Sequence, residues 1–271
     1  MQSSHNSFEE IYAVCNLSIV PVRTEPNDKA EMCTQLLFGE SFIISKFTED
    51  GKWAYIQNLT DDYFGWIDAK QYKSVSKEYV ETLHKNPTPV SKGLFGIMKG
   101  HRKIFPVLMG SLLPMYNNGQ VRIDDEIYVF EGEYTYPAKG TPSDIEKTAK
   151  FYLFSPYLWG GKTHYGIDCS GLVQQVFMFN GYKLPRDSSK QEEMGMAIAF
   201  GMHKKGDLAF FHNVTGRVIH VGIVLDHDLI IHASGEVRID KLDEVGIYNL
   251  DKKQYSHKLH SLKRVLSTDF L

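Results

Sequence analysis

The chain has 271 residues, 42% of them hydrophobic and 23% charged, which is enough apolar material for a buried core in more than one domain. A formal net charge of −3 offers no basic face for nucleic acid or an acidic membrane surface. Three cysteines (Cys15, Cys33 and Cys169) do not make a disulfide framework, and their odd number leaves at least one thiol free.

Residues 1–10 hold neither a basic segment nor an apolar run, so they do not read as a signal peptide. No later stretch is long and apolar enough to span a bilayer. Taken as it stands, the sequence fits a cytoplasmic protein; a periplasmic or envelope protein with its leader removed would look the same.

From about Ile11 to Tyr72 short strands alternate with turn residues. Ile19–Val22, Thr34–Leu37, Ser41–Phe47 and Trp53–Ile56 are the strand candidates, punctuated by Glu25-Pro26-Asn27-Asp28, Gly39 and Glu49-Asp50-Gly51. Such spacing predicts a small, strongly curved barrel in which Cys15 and Cys33 are structural. Val22-Arg23-Thr24-Glu25-Pro26, Trp53 and Tyr63-Phe64-Gly65-Trp66-Ile67 resemble a bacterial SH3-like domain, with the two tryptophans as core and rim packing. In residues 73–140, Pro87 to Lys103 reads as loop, while Ile104–Leu113 and Val121–Phe130 read as strands joined through a tight turn at Asn117-Asn118-Gly119. A second SH3-like barrel with an insertion fits this region, mainly by resemblance.

Thr141-Pro142-Ser143-Asp144 has the signature of a capped helix start, and Ile145, Thr148, Ala149 and Tyr152 recur on one face before Pro156 forces an extended exit. The glycine-punctuated run Tyr157-Leu158-Trp159-Gly160-Gly161 then leads into Asp168-Cys169-Ser170-Gly171. Leu172, Val173, Val176 and Phe177 follow at helical spacing, with Gly181 as the C-terminal cap. This puts Cys169 at a helix N-terminus, where unpaired N–H groups favour a thiolate and can hold an oxyanion. The alternative is a small buried hydrophobe, but polar neighbours on both sides argue against simple core filling.

Gly206–Phe211 predicts a strand, and Arg217–Leu225 with Leu229–Ser234 a hairpin around Asp226-His227-Asp228. If those three residues form the loop, Leu225 pairs with Leu229 and Gly222 with His232. His220 is then diagonal to His232 on the same face. A two-residue turn would split the histidines between faces. Two histidines on one sheet face are satisfied polar residues, a metal site, or a base and its orienter. The spacing matches no zinc pattern. His203, His212, His227, His257 and His260 have no comparable context and read as surface residues.

Tyr157-Leu-Trp-Gly-Gly, Asp168-Cys169-Ser170-Gly171 and the later histidines resemble the NlpC family of cysteine peptidases over residues 141–266. The resemblance implies an α+β fold: a papain-like peptidase domain at 141–271, preceded by SH3-like β-barrels at 1–72 and 73–140. It implies Cys169 as nucleophile, His220 as its proton partner, His232 as orienter of His220, and Tyr157 at the oxyanion, with no cofactor and no metal. Asp168 and Ser170 are expected on the substrate side. The family's Pro-Arg-Asp-Ser stretch puts Arg186, Asp187 and Ser188 along the groove, where a guanidinium could grip a substrate carboxylate.

Two SH3-like domains ahead of such a peptidase resemble the γ-D-glutamyl-L-diamino acid endopeptidases, also called dipeptidyl-peptidase VI. Their likeness implies murein-derived peptides as partners and a Tyr and a Glu that bind the free amine of L-Ala. Tyr63 matches the Tyr; Glu31 is the first choice for the Glu, with Glu25 and Glu40 nearby. A monomer is expected. The competing readings are a wall-binding module with an idle papain-like domain, and an amidase or acyltransferase of the same superfamily.

Overall fold

The computed structural model describes residues 9–226 and 228–266, so the expectation for His227 and most of the leader reading lie outside the described residues. The chain divides into two compact units between Tyr136 and Pro137.

In the first unit, seven strands form one antiparallel sheet: β1 (Ile11–Val14), β2 (Ile19–Arg23), β3 (Met32–Leu37), β4 (Ser41–Phe47), β5 (Trp53–Asn58), β6 (Phe64–Asp68) and β7 (Lys73–Ser74). They run in the order β3-β2-β6-β5-β4-β1-β7. The period-two pattern dictates the inward face: Val20 and Val22 of β2 and Ala54 and Ile56 of β5 are buried beside Phe42, Ile44 and Ile67. Cys15 is buried in that core and Cys33 packs against it, and neither is in a disulfide. Trp66 packs at the rim against Tyr55, centroids 5.1 Å apart.

Next come α1 (Lys77–Lys85), capped by Ser76, and a four-stranded sheet. It contains β8 (Val90–Lys99), β9 (Ile104–Leu108), β10 (Gln120–Ile123) and β11 (Glu126–Thr135), ordered β10-β11-β8-β9. The loop expected at Pro87–Lys103 is therefore corrected to a ten-residue strand. Its glycines hide the alternation, but β8 pairs along both edges, and Met98 joins Val107, Val121, Tyr128 and Phe130 in a core. The single strand expected at Val121–Phe130 is a hairpin that turns at Asp124-Asp125. Asn117 and Gln120 exchange backbone hydrogen bonds of 2.9 Å across Asn118 and Gly119, both at positive φ, which is the expected tight turn. Val14 of β1 and Phe38, in the turn after β3, lie in the second core, so the two β-layers share a wall.

The second unit opens with α2 (Pro142–Phe151), whose Thr141 and Asp144 form a reciprocal capping box. Ile145, Ala149 and Tyr152 are buried on the expected face. Two short strands, β12 (Lys162–Thr163) and β13 (Gly166–Ile167), lead into α3 (Cys169–Phe179), and α4 (Ser188–Glu192) follows. The remaining strands are β14 (Met196–Ile198), β15 (Leu208–His212), β16 (Val218–Val224), β17 (Leu229–Ser234), β18 (Glu236–Leu242), β19 (Gly246–Asn249) and β20 (Gln254–Arg264). They run in the order β14-β20-β15-β16-β17-β18-β19, and β20 also pairs with β19, closing the meander on itself. Helix α3 packs against β16 and β17, which sets its N-terminus beside the predicted histidine hairpin. Among the described residues no helix is long and apolar enough to cross a membrane.

Candidate active site

Cys169 is the first residue of α3, as the local pattern predicts, and Asp168 is its N-cap, its side chain accepting from Gly171 N–H. Leu172, Val173, Val176 and Phe177 are fully buried. After Asn180, Gly181 takes the left-handed conformation, and Tyr182 N–H bonds back to the Phe177 carbonyl at 2.9 Å. Gly171 is required by close approach: a Cβ there would lie 2.3 Å from the Gly161 carbonyl oxygen. The preceding loop is held on both sides, Tyr157 N–H to Gly235 O at 2.9 Å and Leu158 N–H to Ile167 O at 3.2 Å. Tyr157 is thereby tied to the turn that follows β17.

The hairpin register matches the three-residue-loop expectation. Gly222 pairs with His232, and Leu225 N–H donates to Leu229 O at 2.7 Å. A Cβ at Gly222 would meet Ile230 Cδ1 at 2.7 Å and His232 Cβ at 3.0 Å, so the glycine makes room for the imidazole. His220 Nε2 and His232 Nδ1 are 2.9 Å apart, and His232 Nε2 is 3.1 Å from Asp240 Oδ2. His220 Nδ1 makes no hydrogen bond to any described residue and is the ring nitrogen left for a proton from elsewhere. Cys169 lies against the same strand, its sulfur accepting from the Val221 N–H.

The electrostatics correct one expectation. Burial, with the Asp168 carboxylate beside it, pushes the Cys169 thiol up to about 12, and the Val221 and Ser170 N–H groups and Arg186 do not reverse this. Burial also holds His220 well below the ordinary imidazole value of 6.5, with His257 and His232 acting in the same direction. Desolvation raises the thiol and lowers the imidazole, so the resting pair is neutral thiol and neutral imidazole, not the expected thiolate. Burial and the neighbouring Cys169 and Asp168 hold the half-buried Tyr157 phenol above its ordinary 10.0, so it remains a hydrogen-bond donor.

Several expected substrate contacts are spent inside the protein. Arg186 is 2% exposed and forks onto Asp168, Nη1 to Oδ1 at 3.0 Å and Nη2 to Oδ2 at 2.7 Å. It also donates to Ser170 Oγ at 2.8 Å. Asp168 further accepts from Gly171 N–H at 2.7 Å, Gly160 N–H at 2.8 Å and Ser170 Oγ at 3.3 Å. Arg186, Asp168 and Ser170 thus bind one another and staple the loop to the helix start, and the guanidinium expected to grip a substrate carboxylate is committed to Asp168 instead. Asp187 caps α4 by position and is exposed, and Ser188 is half-buried at the first turn of that helix.

In the first unit, Glu40 is 4% exposed and accepts from Leu37 N–H at 3.2 Å, so it is a structural residue. Glu31 and Glu25 are exposed, and Tyr63 is half-buried. Glu31 precedes β3 and Tyr63 precedes β6; β2 pairs with both strands through Arg23. Antiparallel register carries Glu31 and Tyr63 toward the same end of β2.

Two residues were missed in the sequence. His257, expected at the surface, is half-buried with its ring against His220. Asp240 is fully buried at the end of the histidine pair. The Arg238-x-Asp240 alternation opposite His232 was the available signal, since His232 pairs with Arg238. His220, His232 and His257 bring ligand atoms within 4.8 Å of one another. A metal ion there would have to replace the His220–His232 hydrogen bond, and Asp240 already occupies the other His232 nitrogen.

A cysteine at a helix start, set against two adjacent strands that carry a hydrogen-bonded histidine pair between them, is the geometry of a cysteine nucleophile and its base. Residues 155–261 match the NlpC/P60 family. This unit is an NlpC/P60 cysteine peptidase domain. Residues 22–71 match the bacterial dipeptidyl-peptidase Sh3 domain. The gamma-D-glutamyl-L-lysine dipeptidyl-peptidase of Bacillus subtilis is 29% identical over 251 residues, 86% of this chain and 81% of that protein. The dipeptidyl-peptidase 6 of Lysinibacillus sphaericus is 36% identical over 116 residues, 41% of each chain. Among solved structures, an NlpC/P60 family protein from Bacillus cereus superposes with a TM-score of 0.80 at 20% identity, covering 94% of this chain and all of that one. With the two family matches, this last likeness establishes the shared fold: a papain-like α+β domain that follows SH3-like β-domains in the chain.

Proposed function

We propose that this NlpC/P60 cysteine peptidase hydrolyses the γ-D-Glu–diamino acid bond of murein peptides whose N-terminal L-Ala is free, releasing L-Ala-D-Glu. The observation that carries the chemistry is the His220–His232 pair beside Cys169. The substrate reading is supported by the dipeptidyl-peptidase Sh3 match and by the gamma-D-glutamyl-L-lysine dipeptidyl-peptidase likeness that extends over most of the chain.

In this scheme His220 Nδ1 takes the Cys169 proton as sulfur attacks the amide carbonyl. The tetrahedral oxyanion is held by the Tyr157 hydroxyl and the Cys169 backbone N–H, a first-turn donor with no intrahelical acceptor. His220 then gives its proton to the leaving amine, and next takes one from the water that opens the thioester. The family resemblance makes Glu31 and Tyr63, both in the first unit, the candidates for binding the substrate's free amine.

Mass-spectrometric digestion of L-Ala-γ-D-Glu-meso-diaminopimelate, beside its N-acetylated form and the Cys169→Ala protein, tests both parts. The expected result is cleavage of the free-amine peptide alone, by the unaltered enzyme alone. Equal cleavage of both peptides removes the amine requirement. Substantial hydrolysis by folded Cys169→Ala removes the nucleophile assignment.

A further inference from the structure

The diagonal that joins His220 to His232 continues one strand further. His220 is two residues from Gly222, the partner of His232; Asp240 is two residues from Arg238, the partner of His232 on the other side. One line of side chains therefore crosses β16, β17 and β18 on a single sheet face. Asp240 ends the line at 0% exposure. Its Oδ2 faces His232 Nε2 at 3.1 Å and Arg238 Nε at 2.6 Å; its Oδ1 faces Arg238 Nη2 at 2.9 Å and Leu250 N–H at 2.9 Å.

Two hydrogen-bonded imidazoles can run their protons in either direction. In one arrangement His220 offers a lone pair at Nδ1; in the other it carries a proton there and cannot act as a base. Nothing in the pair itself decides between them. An ionised carboxylate can only accept. With Asp240 ionised, His232 must hold its proton on Nε2 and accept on Nδ1. His220 must then donate from Nε2, which leaves Nδ1 bare. We propose that Asp240 is the positioning residue that fixes the tautomers of both histidines and thereby keeps His220 competent to deprotonate Cys169. Asp240 acts through His232 and touches neither sulfur nor substrate.

The surroundings of Asp240 make Asp240→Asn a directed test. The Oδ1 side faces two donors that cannot become acceptors, Arg238 Nη2 and Leu250 N–H. The asparagine carbonyl takes that side and its NH₂ group turns to the Oδ2 side. There the NH₂ group meets one donor that cannot accept, Arg238 Nε, against two on the Oδ1 side, and His232 can become its acceptor, so the His232 tautomer inverts and that of His220 inverts with it. Expected is a kcat loss on the order of 10³-fold or more, the scale of a tautomer-inverting Asp→Asn replacement in a serine peptidase, with KM changed less than about twofold.

Nitrogen-15 NMR of the unaltered protein gives an independent readout that does not require the variant to fold. Both His220 and His232 are expected as Nε2–H tautomers, and both are expected to switch in Asp240→Asn. A purely structural role for Asp240 would alter stability without switching tautomers. Finding His220 as the Nδ1–H tautomer in the unaltered enzyme overturns the proposal, as does a folded Asp240→Asn protein with kcat within about threefold of the original.

Discussion

The rings of His220 and His257 lie face to face, centroids 4.0 Å apart and planes 17° from parallel. His232 meets the same His220 ring edge-on at 87°. One neighbour fixes where the His220 nitrogen points and the other fixes the plane of the ring. Aromatic pairs of this kind are worth about 0.5–1.5 kcal/mol, which is roughly 2- to 10-fold in rate if the whole contact bears on the transition state. His257→Ala should lower kcat by about that factor with KM little changed, while His257→Phe, which keeps a ring in place, should retain most of it. Equal kcat in all three proteins would remove His257 from the site.

The neutral resting pair has its own consequence. Since burial pushes the Cys169 thiol up to about 12, alkylation of the free enzyme by iodoacetamide should climb steadily from neutral into alkaline pH. An enzyme with a preformed thiolate–imidazolium pair would instead show a reactive plateau reaching below neutrality. Such a plateau, lost in Cys169→Ala, would mean that the helix terminus outweighs desolvation after all.

Burying three imidazoles together makes the fold sensitive to acid. Burial is the leading cause in each: His220 and His232 are held below the ordinary 6.5, and His257 falls to about 4. Between those values the unfolded chain binds more protons than the folded one, so stability falls as pH drops from 6.5 toward 4. Asp240 is also depressed, by bonds from His232 and Arg238 that outweigh burial. Its contribution stays intact until pH falls below the ordinary 3.8. The melting temperature should therefore decline through the imidazole window, and His257→Phe should flatten that slope. A melting temperature that holds constant from pH 6.5 to 4 would contradict neutral buried histidines.

Arg186 offers a test that separates scaffold from substrate contact. Its side chain is 1% exposed against a 9% exposed Asp168 side chain. Removing one partner of such a pair costs about 3–5 kcal/mol because the other charge is left buried. Arg186→Met should lower the urea midpoint by a corresponding amount and weaken turnover through a loosened Cys169 loop. A variant of unchanged stability and raised KM would return Arg186 to the substrate groove.

Much of the site was legible because it is written in short-range rules. The Asp168 cap, the start of α3 at Cys169 and the Gly181 stop depend on residues within a turn of one another. The His220–His232 diagonal depends only on hairpin loop length, and Gly222 marks the register. In β8 the same rules failed, because glycines removed the alternation and only pairing with β9 and β11 made a strand of it.

What the sequence determined by itself was therefore the identity and local frame of Cys169, His220 and His232: capping, periodicity and register are set by neighbours along the chain. Tertiary structure decided the partners of buried charge. Arg186 reaches Asp168 across 18 positions, and His257 reaches His220 only because β20 closes the meander by pairing with both β15 and β19. In the sequence His257 reads as a surface residue, and Arg186 reads, by resemblance, as a groove residue. Packing buries them, and a buried polar group must take whatever complementary group the fold brings within reach.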